Sequence, residues 1–317
     1  MITPLALGVF ALLANSLGSR LLRGARWTSH APGLGIVLWQ ALTASVLLAT
    51  MLAGLALALP TIPLSAGLAT LIDACVMALR QQYSTPGGLG LSIAGLVLAL
   101  GIGARVSYCV AAALRKMRRD RLVQHQNLAL ASQYDSNWRV SVVDHHTPAA
   151  YCVPGRRPKV VFTSSALSSL DDDEVRAVIS HERAHLRGRH DVVLAFAGAL
   201  RRSFPRLASM EIGQAELARL LEMRADDVAL RNSDRLVIAK ALVTLSHGAM
   251  PVGALGAGSS ALARLHRLVD PPRSLRWSTR LILATGTLTL IVLPLVIAAE
   301  PAAIATAMNF CPLHIAA

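Results

Sequence analysis

The sequence predicts an α-helical polytopic membrane protein, with about four transmembrane helices and a mostly helical α+β domain between the third and the fourth. Three observations predict it. Asp, Glu, Lys and Arg are absent between Arg26 and Asp73, between Arg80 and Arg105, and between Arg280 and Glu300. Each gap can supply the roughly 20 apolar residues that a spanning helix needs. The composition, 54% hydrophobic and 15% charged with a mean hydropathy of +0.50, suits a chain partly in lipid. Finally, 16 of the 18 acidic residues fall between residues 115 and 280, which marks that segment as a polar globular unit.

The expected spans are Ile2–Leu17, Leu34–Leu59, Leu89–Leu114 and Leu281–Ala299. Pro60 and Pro63 end the second, the turn Thr85-Pro86-Gly87-Gly88 precedes the third, and Pro294 is a kink point in the fourth. The N-terminus lacks a basic region and a clear cleavage signal, so the first span is expected to be retained. Arg105 lies inside the third span near its basic end, where it either snorkels to the interface or faces the domain that follows.

Orientation follows from the basic residues beside the spans. Arg20, Arg23 and Arg26 follow the first, and Arg115, Lys116, Arg118, Arg119 and Arg121 follow the third. Arg273, Arg276 and Arg280 precede the fourth, whereas Arg80 alone lies between the second and third. All four spans then agree: both termini lie outside, and residues 115–280 are cytosolic. The expected organisation is a membrane domain over 1–114 with three helices, a cytosolic domain over 115–280, and a fourth helix with a short outer tail over 281–317.

The net charge is +13, almost all from 28 arginines against 3 lysines. These arginines are thickest beside the spans and have few aromatics among them, so membrane topology explains them and direct nucleic-acid binding is not expected. Cys75, Cys109, Cys152 and Cys311 form no C-x-x-C pair, so neither a zinc knuckle nor a disulfide framework is indicated; Cys109 and Cys152 read as small apolar residues. Within the polar segment, Arg139–Val143 reads as a strand. Ala149–Val153 and Lys159–Thr163 flank Pro154-Gly155-Arg156-Arg157-Pro158 and read as a hairpin. The rest is helical, apart from a small-residue loop at Gly253–Ser260. An amphipathic stretch around Leu68–Arg80 lies in the outer loop Pro60–Gly88.

The segment that carries chemistry runs from Ser168 to His185. Asp171 and Glu174, three apart, fit the start of a helix, and the acids at 171–174 suit the positive end of its dipole. Val175, Val178 and Ile179 supply a buried face. His181 and His185 then stand one turn apart on one face, so both imidazoles can reach a single tetrahedral zinc ion. Glu182 is placed to take the proton of a water attacking a peptide carbonyl. The pattern is H-E-x-x-H, the signature of a zinc metalloendopeptidase.

Such a site needs a third protein ligand. Glu222 is one candidate, on a helix where Asp226 stands one turn further and can orient a ligand histidine through its other ring nitrogen. Both acids also suit an ordinary charged face beside Arg224. The rival is Asp191: Gly188 falls three residues after His185 and Asp191 three after that, although His190 is one place early for a metzincin ligand. In the alternative to that rival, Gly188 ends the helix.

His181-Glu182-Arg183-Ala184-His185, followed by Glu222-Met223-Arg224-Ala225-Asp226, resembles the BlaR/MecR-type membrane metallopeptidases. These are signal transducers that relieve repression by BlaI/MecI-type repressors. More distantly, the chain is similar to the HtpX-type and CaaX-prenyl-protease zinc peptidases. Val153–Val161 also resembles the stretch before the metal helix in the BlaR/MecR-type proteins, and the likeness covers roughly residues 85–300. It implies a zincin-like domain, one Zn2+ per chain, Glu222 as the third ligand, and a protein substrate such as a BlaI-type repressor. It departs from the BlaR/MecR pattern after Ala299, where 18 residues stand in place of an external penicillin-binding domain. Any signal is then expected from the spans, the outer loop or a separate sensor partner. Two further readings remain: an HtpX-like quality-control or processing peptidase, and a non-catalytic zinc-binding sensor.

Overall fold

The computed structural model describes residues 2–58, 88–248, 255–270 and 274–307. Cys75, Cys311 and the amphipathic stretch around Leu68–Arg80 lie outside the described residues. The chain opens with α1 (Ile2–Leu13), a π-helical segment (Ala14–Gly18), α2 (Ser19–Arg23) and a 3₁₀ turn (Arg26–Ser29). Next come α3 (Pro32–Ala58) and α4 (Gly88–Ala131). Strands β1 (Ser132–Asp135), β2 (Val140–Val143), β3 (Ala150–Val153) and β4 (Lys159–Thr163) form one sheet. Helices α5 (Ser164–Ser169), α6 (Asp172–Arg187), α7 (His190–Ser203), α8 (Ala208–Ala229), α9 (Arg235–Gly248), α10 (Leu255–Val269) and α11 (Trp277–Ala307) complete it.

Among the described residues, four helical stretches are long and apolar enough to cross a membrane: Ile2–Arg23, Pro32–Ala58, Leu89–Ala131 and Trp277–Pro301. They coincide with the four expected spans and run beyond them at most ends; the second is described as far as Ala58, and Leu59 lies outside the described residues. α4 runs unbroken past Leu114 into the polar segment, so one helix carries both the apolar stretch and the base of the sheet. α3 and α4 touch at Gly54 and Gly95, where a Cβ on either glycine would come within 2.7 Å of the other's carbonyl oxygen. Glycines at facing positions permit such backbone contact.

The sheet order is β1-β2-β4-β3, with β2 and β4 parallel and both outer pairs antiparallel. The expected hairpin is present: Ala150 pairs with Phe162 and Val153 with Lys159. β1 is a strand that the sequence reading did not identify, because Ser132-Gln133-Tyr134-Asp135 carries no apolar alternation. The expected strand at Arg139 begins at Val140 instead. Arg139 adopts a left-handed φ of 55°, closing a turn in which Asp135 Oδ1 accepts from the backbone N–H of Asn137 (2.8 Å) and Trp138 (3.1 Å). The expected loop at Gly253–Ser260 is also corrected. From Leu255 onward it is the first turns of α10, while residues 253–254 lie outside the described residues.

The core over the sheet gathers Val140, Val160, Phe162, Val175, Val178 and Ile179, so α6 is laid across β4 by the apolar face foreseen for it. A second core joins the apolar helices to the polar segment. Ile36, Trp39, Leu42 and Val46 of α3 meet Leu217, Leu220, Leu221 and Met223 of α8. Arg105 faces the following domain and does not snorkel: its Nε donates to the carbonyl of Ser203 at 2.5 Å. That carbonyl ends α7 with no helical partner of its own, which makes it a ready acceptor.

Candidate metal centre

α6 begins with a capping box. The Asp171 carboxylate accepts from the backbone N–H of Glu174 (2.8 Å), and the Glu174 carboxylate from that of Asp171 (3.0 Å). Its buried face then fixes the rotation of the helix, so that His181 is buried and His185 lies half-buried on the same side. α6 ends at Gly188, as the sequence spacing suggested. A Cβ on Gly188 would come within 2.4 Å of the His190 ring, so glycine both ends the helix and leaves room for that ring.

α8 crosses α6 and brings Glu222 and Asp226 to the two histidines. His181 Nε2 lies 3.2 Å from His185 Nε2 and 3.5 Å from Glu222 Oε2, and His185 Nε2 lies 3.4 Å from Glu222 Oε1. A tetrahedral ion with ligand distances of about 2.0–2.1 Å needs ligand-to-ligand edges of about 3.3–3.4 Å. The two imidazole nitrogens and the Glu222 carboxylate lie close to that spacing, each histidine meeting a different carboxylate oxygen, and His181, His185 and Glu222 could hold a metal ion. Two imidazoles and a carboxylate are the donor set of zinc sites that work on substrate, in which water takes the fourth position.

Behind the donors, the other ring nitrogen of each histidine meets a polar group. His181 Nδ1 lies 3.0 Å from Asp226 Oδ1, an ion-pair distance that falls short of in-line hydrogen-bond geometry. His185 Nδ1 lies 2.9 Å from His190 Nδ1. Asp191, the rival ligand, is not in the cluster; it is paired with Arg121 of α4. His145 and His146 stack on each other in the exposed loop before β3, with ring centroids 4.6 Å apart.

Three residues around the centre were not foreseen. The sequence spacing offers His190 only as a ligand one place early. Cys152 of β3 was read as an apolar filler, but its thiol touches the Glu182 carboxylate. Arg264 of α10 donates from Nε and Nη2 to the two oxygens of Asp226 (2.8 and 2.7 Å) and from Nη1 to Glu222 Oε2 (2.9 Å). No local sequence pattern marks Arg264, whose partners lie 38 and 42 residues away.

The electrostatics follow from this crowding. Burial opposes the charged form of His181, but the carboxylates of Asp226 and Glu222 override it and hold its pKa up at about 9. Burial lowers His185 to about 4, aided by the charge of His181. Burial pushes Glu222 upward, yet the contacts with His181 and Arg264 win and bring it down to about 2. Asp226 lies well below the usual carboxylate range for the same reasons. Glu182 is raised by burial, and the Cys152 thiol is pushed up to about 12 by burial and by the neighbouring Glu182.

Comparison with known proteins bears on the class of the chain. A "Protease HtpX homolog" of Desulforapulum autotrophicum is 32% identical over 93 residues, which make up 28% of this chain and 28% of that protein. The chain thus aligns with little more than a quarter of the length of that curated relative. No solved structure matches the chain. Residues 113–210 match peptidase family M48. That stretch takes in His181 and His185 and stops short of Glu222; with four helices long and apolar enough to cross a membrane, the two likenesses support a membrane metallopeptidase.

Proposed function

We propose that the chain is a multi-pass membrane zinc metalloendopeptidase whose site faces the cytosol and cleaves a cytosolic protein. The observation that carries the reading is the convergence of His181, His185 and Glu222 on one point where they could hold a metal ion. His181, His185 and Glu222 would hold a zinc ion, which would supply Lewis acidity towards the scissile carbonyl and the attacking water. Glu182 is the general base. Burial raises its affinity for a proton, so it can take one from the water and pass it to the leaving amine. Cys152 stays protonated beside it and steadies its carboxylate. Asp226 and His190 hold the two ligand imidazoles in the ring orientation that leaves Nε2 of each for the metal.

β3 gives the substrate a place. It pairs with β4 on one side only, and it is the strand that lies beside α6. An extended peptide added along its free edge would run past Glu182 with its backbone hydrogen-bonded in register. The BlaR/MecR resemblance favours one substrate, a BlaI-type repressor, under control of a signal from the membrane helices or a separate sensor partner. A second reading, a broad HtpX-like processing or quality-control peptidase, is favoured by the likeness to the HtpX homologue.

New protein N-termini in cells expressing the wild type or Glu182→Ala at equal levels test both. Glu182 is not among the three metal-holding residues, so zinc content should be unchanged. One or a few cytosolic N-termini found only with the wild type are expected. A broad set would favour the HtpX-like reading. Cleavage that survives Glu182→Ala would rule out the base.

A further inference from the structure

We propose that Arg264 is a positioning residue of the metal centre, setting Glu222 directly and His181 through Asp226. The proposal rests on the reading that His181, His185 and Glu222 hold zinc. Charge balance alone would need only a cation nearby. The guanidinium instead spends three nitrogens on three different oxygens: the fork of Nε and Nη2 clasps Asp226, and Nη1 reaches Glu222 Oε2. A planar fork of this kind fixes direction as well as charge. With Asp226 clasped, its Oδ1 stands 3.0 Å from His181 Nδ1, and with Oε2 of Glu222 held, Oε1 is left 3.4 Å from His185 Nε2. One side chain thus determines how two of the three metal donors are presented.

Arg264 is itself held in place by the next turn of α10. Arg267 contacts Asp227 of α8, the carbonyl of Met223 (3.3 Å) and the carbonyl of Ser29 (2.7 Å) in the 3₁₀ turn between α2 and α3. α10 therefore clamps the metal-bearing part of α8 against the connector of the first two apolar helices. The buried Leu268, packed with Ala177, Ala229 and Ile238, fixes the same helix from another side.

The test uses the purified full chain in detergent, stripped of metal and titrated with Zn2+ against a competing chelator, with Co2+ absorption bands as a readout of donor geometry. Arg264→Lys keeps the charge and loses the fork. Arg264→Gln loses both. Loss of a residue that orients metal ligands typically weakens binding by about 10- to 100-fold. Arg264→Gln is expected in that range with altered Co2+ bands, and Arg264→Lys is expected to be weaker than wild type with bands shifted in the same sense. Wild-type affinity and an unchanged spectrum in Arg264→Lys would overturn the proposal, and this variant decides the matter if Arg264→Gln does not fold. Glu222→Gln and His181→Ala separate the two readings. If they too bind Zn2+ as the wild type does, the metal site itself is wrong; if they lose it and Arg264→Lys does not, only the role of Arg264 fails.

Discussion

His181 carries a proton in the metal-free protein that a metal ion must displace. Its pKa of about 9 lies above neutrality, whereas His185 at about 4 is already neutral and Glu222 at about 2 already ionised. Metal uptake at neutral pH therefore releases one proton, from His181. Apparent Zn2+ affinity should rise about tenfold per pH unit between pH 5 and 8 and level off above pH 9. Chelator competition at several pH values measures this, and a flat profile would contradict it. The same shift acts on folding with the opposite sense. Because the folded pKa is raised, the metal-free protein keeps this stabilisation below about pH 6.5 and loses it as pH rises through 9. At this scale the sequence was informative wherever partners are a helical turn apart. His181 with His185, and Glu222 with Asp226, each declare a shared face through a spacing of four. It was silent on Arg264 and Cys152, whose partners lie 38 to 42 residues and 30 residues away along the chain, because no local period links them.

The elements were legible where a single period or an absence of charge governed them: the four apolar stretches, α6 and the β3–β4 hairpin. β1 was not, since its pairing with β2 is made by backbone groups and its side chains are mostly polar. Nor was the π-helical segment at Ala14–Gly18. Its local change of pitch accompanies the turning of Asn15 towards α8, where Asn15 Oδ1 accepts from the Ser209 backbone N–H (3.1 Å) and hydroxyl (2.8 Å). α8 has no cap of its own at Leu207, so a residue of the π-helical segment supplies one of its unpaired N–H groups with a partner. The pairing of α3 with α4 gives a test at this scale. A side chain at Gly95 would meet Leu57 Cβ at 2.5 Å and the Gly54 carbonyl at 2.6 Å, whereas Gly90 and Gly101 on the same helix have nothing within 4 Å. Gly95→Leu should therefore destabilise the protein by about 1–3 kcal/mol, as overpacking does elsewhere. Gly90→Leu and Gly101→Leu should leave the thermal midpoint in detergent within experimental scatter. Equal midpoints for all three would show that the two helices do not touch there.

The whole molecule is less divisible than its charge distribution suggests. The sequence reads as membrane helices followed by a separate polar domain over 115–280. Yet α8, which carries Glu222 and Asp226, is held by the apolar helices at several places. Asn15 caps its start, Trp39 lies fully buried against its middle with a ring carbon 3.3 Å from where a Gly213 Cβ would sit, and Arg267 ties its end to the Ser29 carbonyl. Periodicity could mark each helix as apolar or amphipathic, but α3 is apolar all round and gives no sign that part of it faces protein. This interlock has a consequence for a fragment of residues 115–280. Ile36, Trp39, Leu42 and Val46 would all be missing, and each such side chain contributes roughly 1.5–3 kcal/mol when buried. A domain's total stability is only about 5–15 kcal/mol. The fragment would also expose the α8 face that they cover. It should therefore show no cooperative melt and bind Zn2+ far more weakly than the full chain, while a chain retaining residues 1–58 linked to 88–280 should recover both. A 115–280 fragment that melts cooperatively and binds Zn2+ as tightly as the full chain would mean that the apolar helices anchor the metal centre without helping to build it.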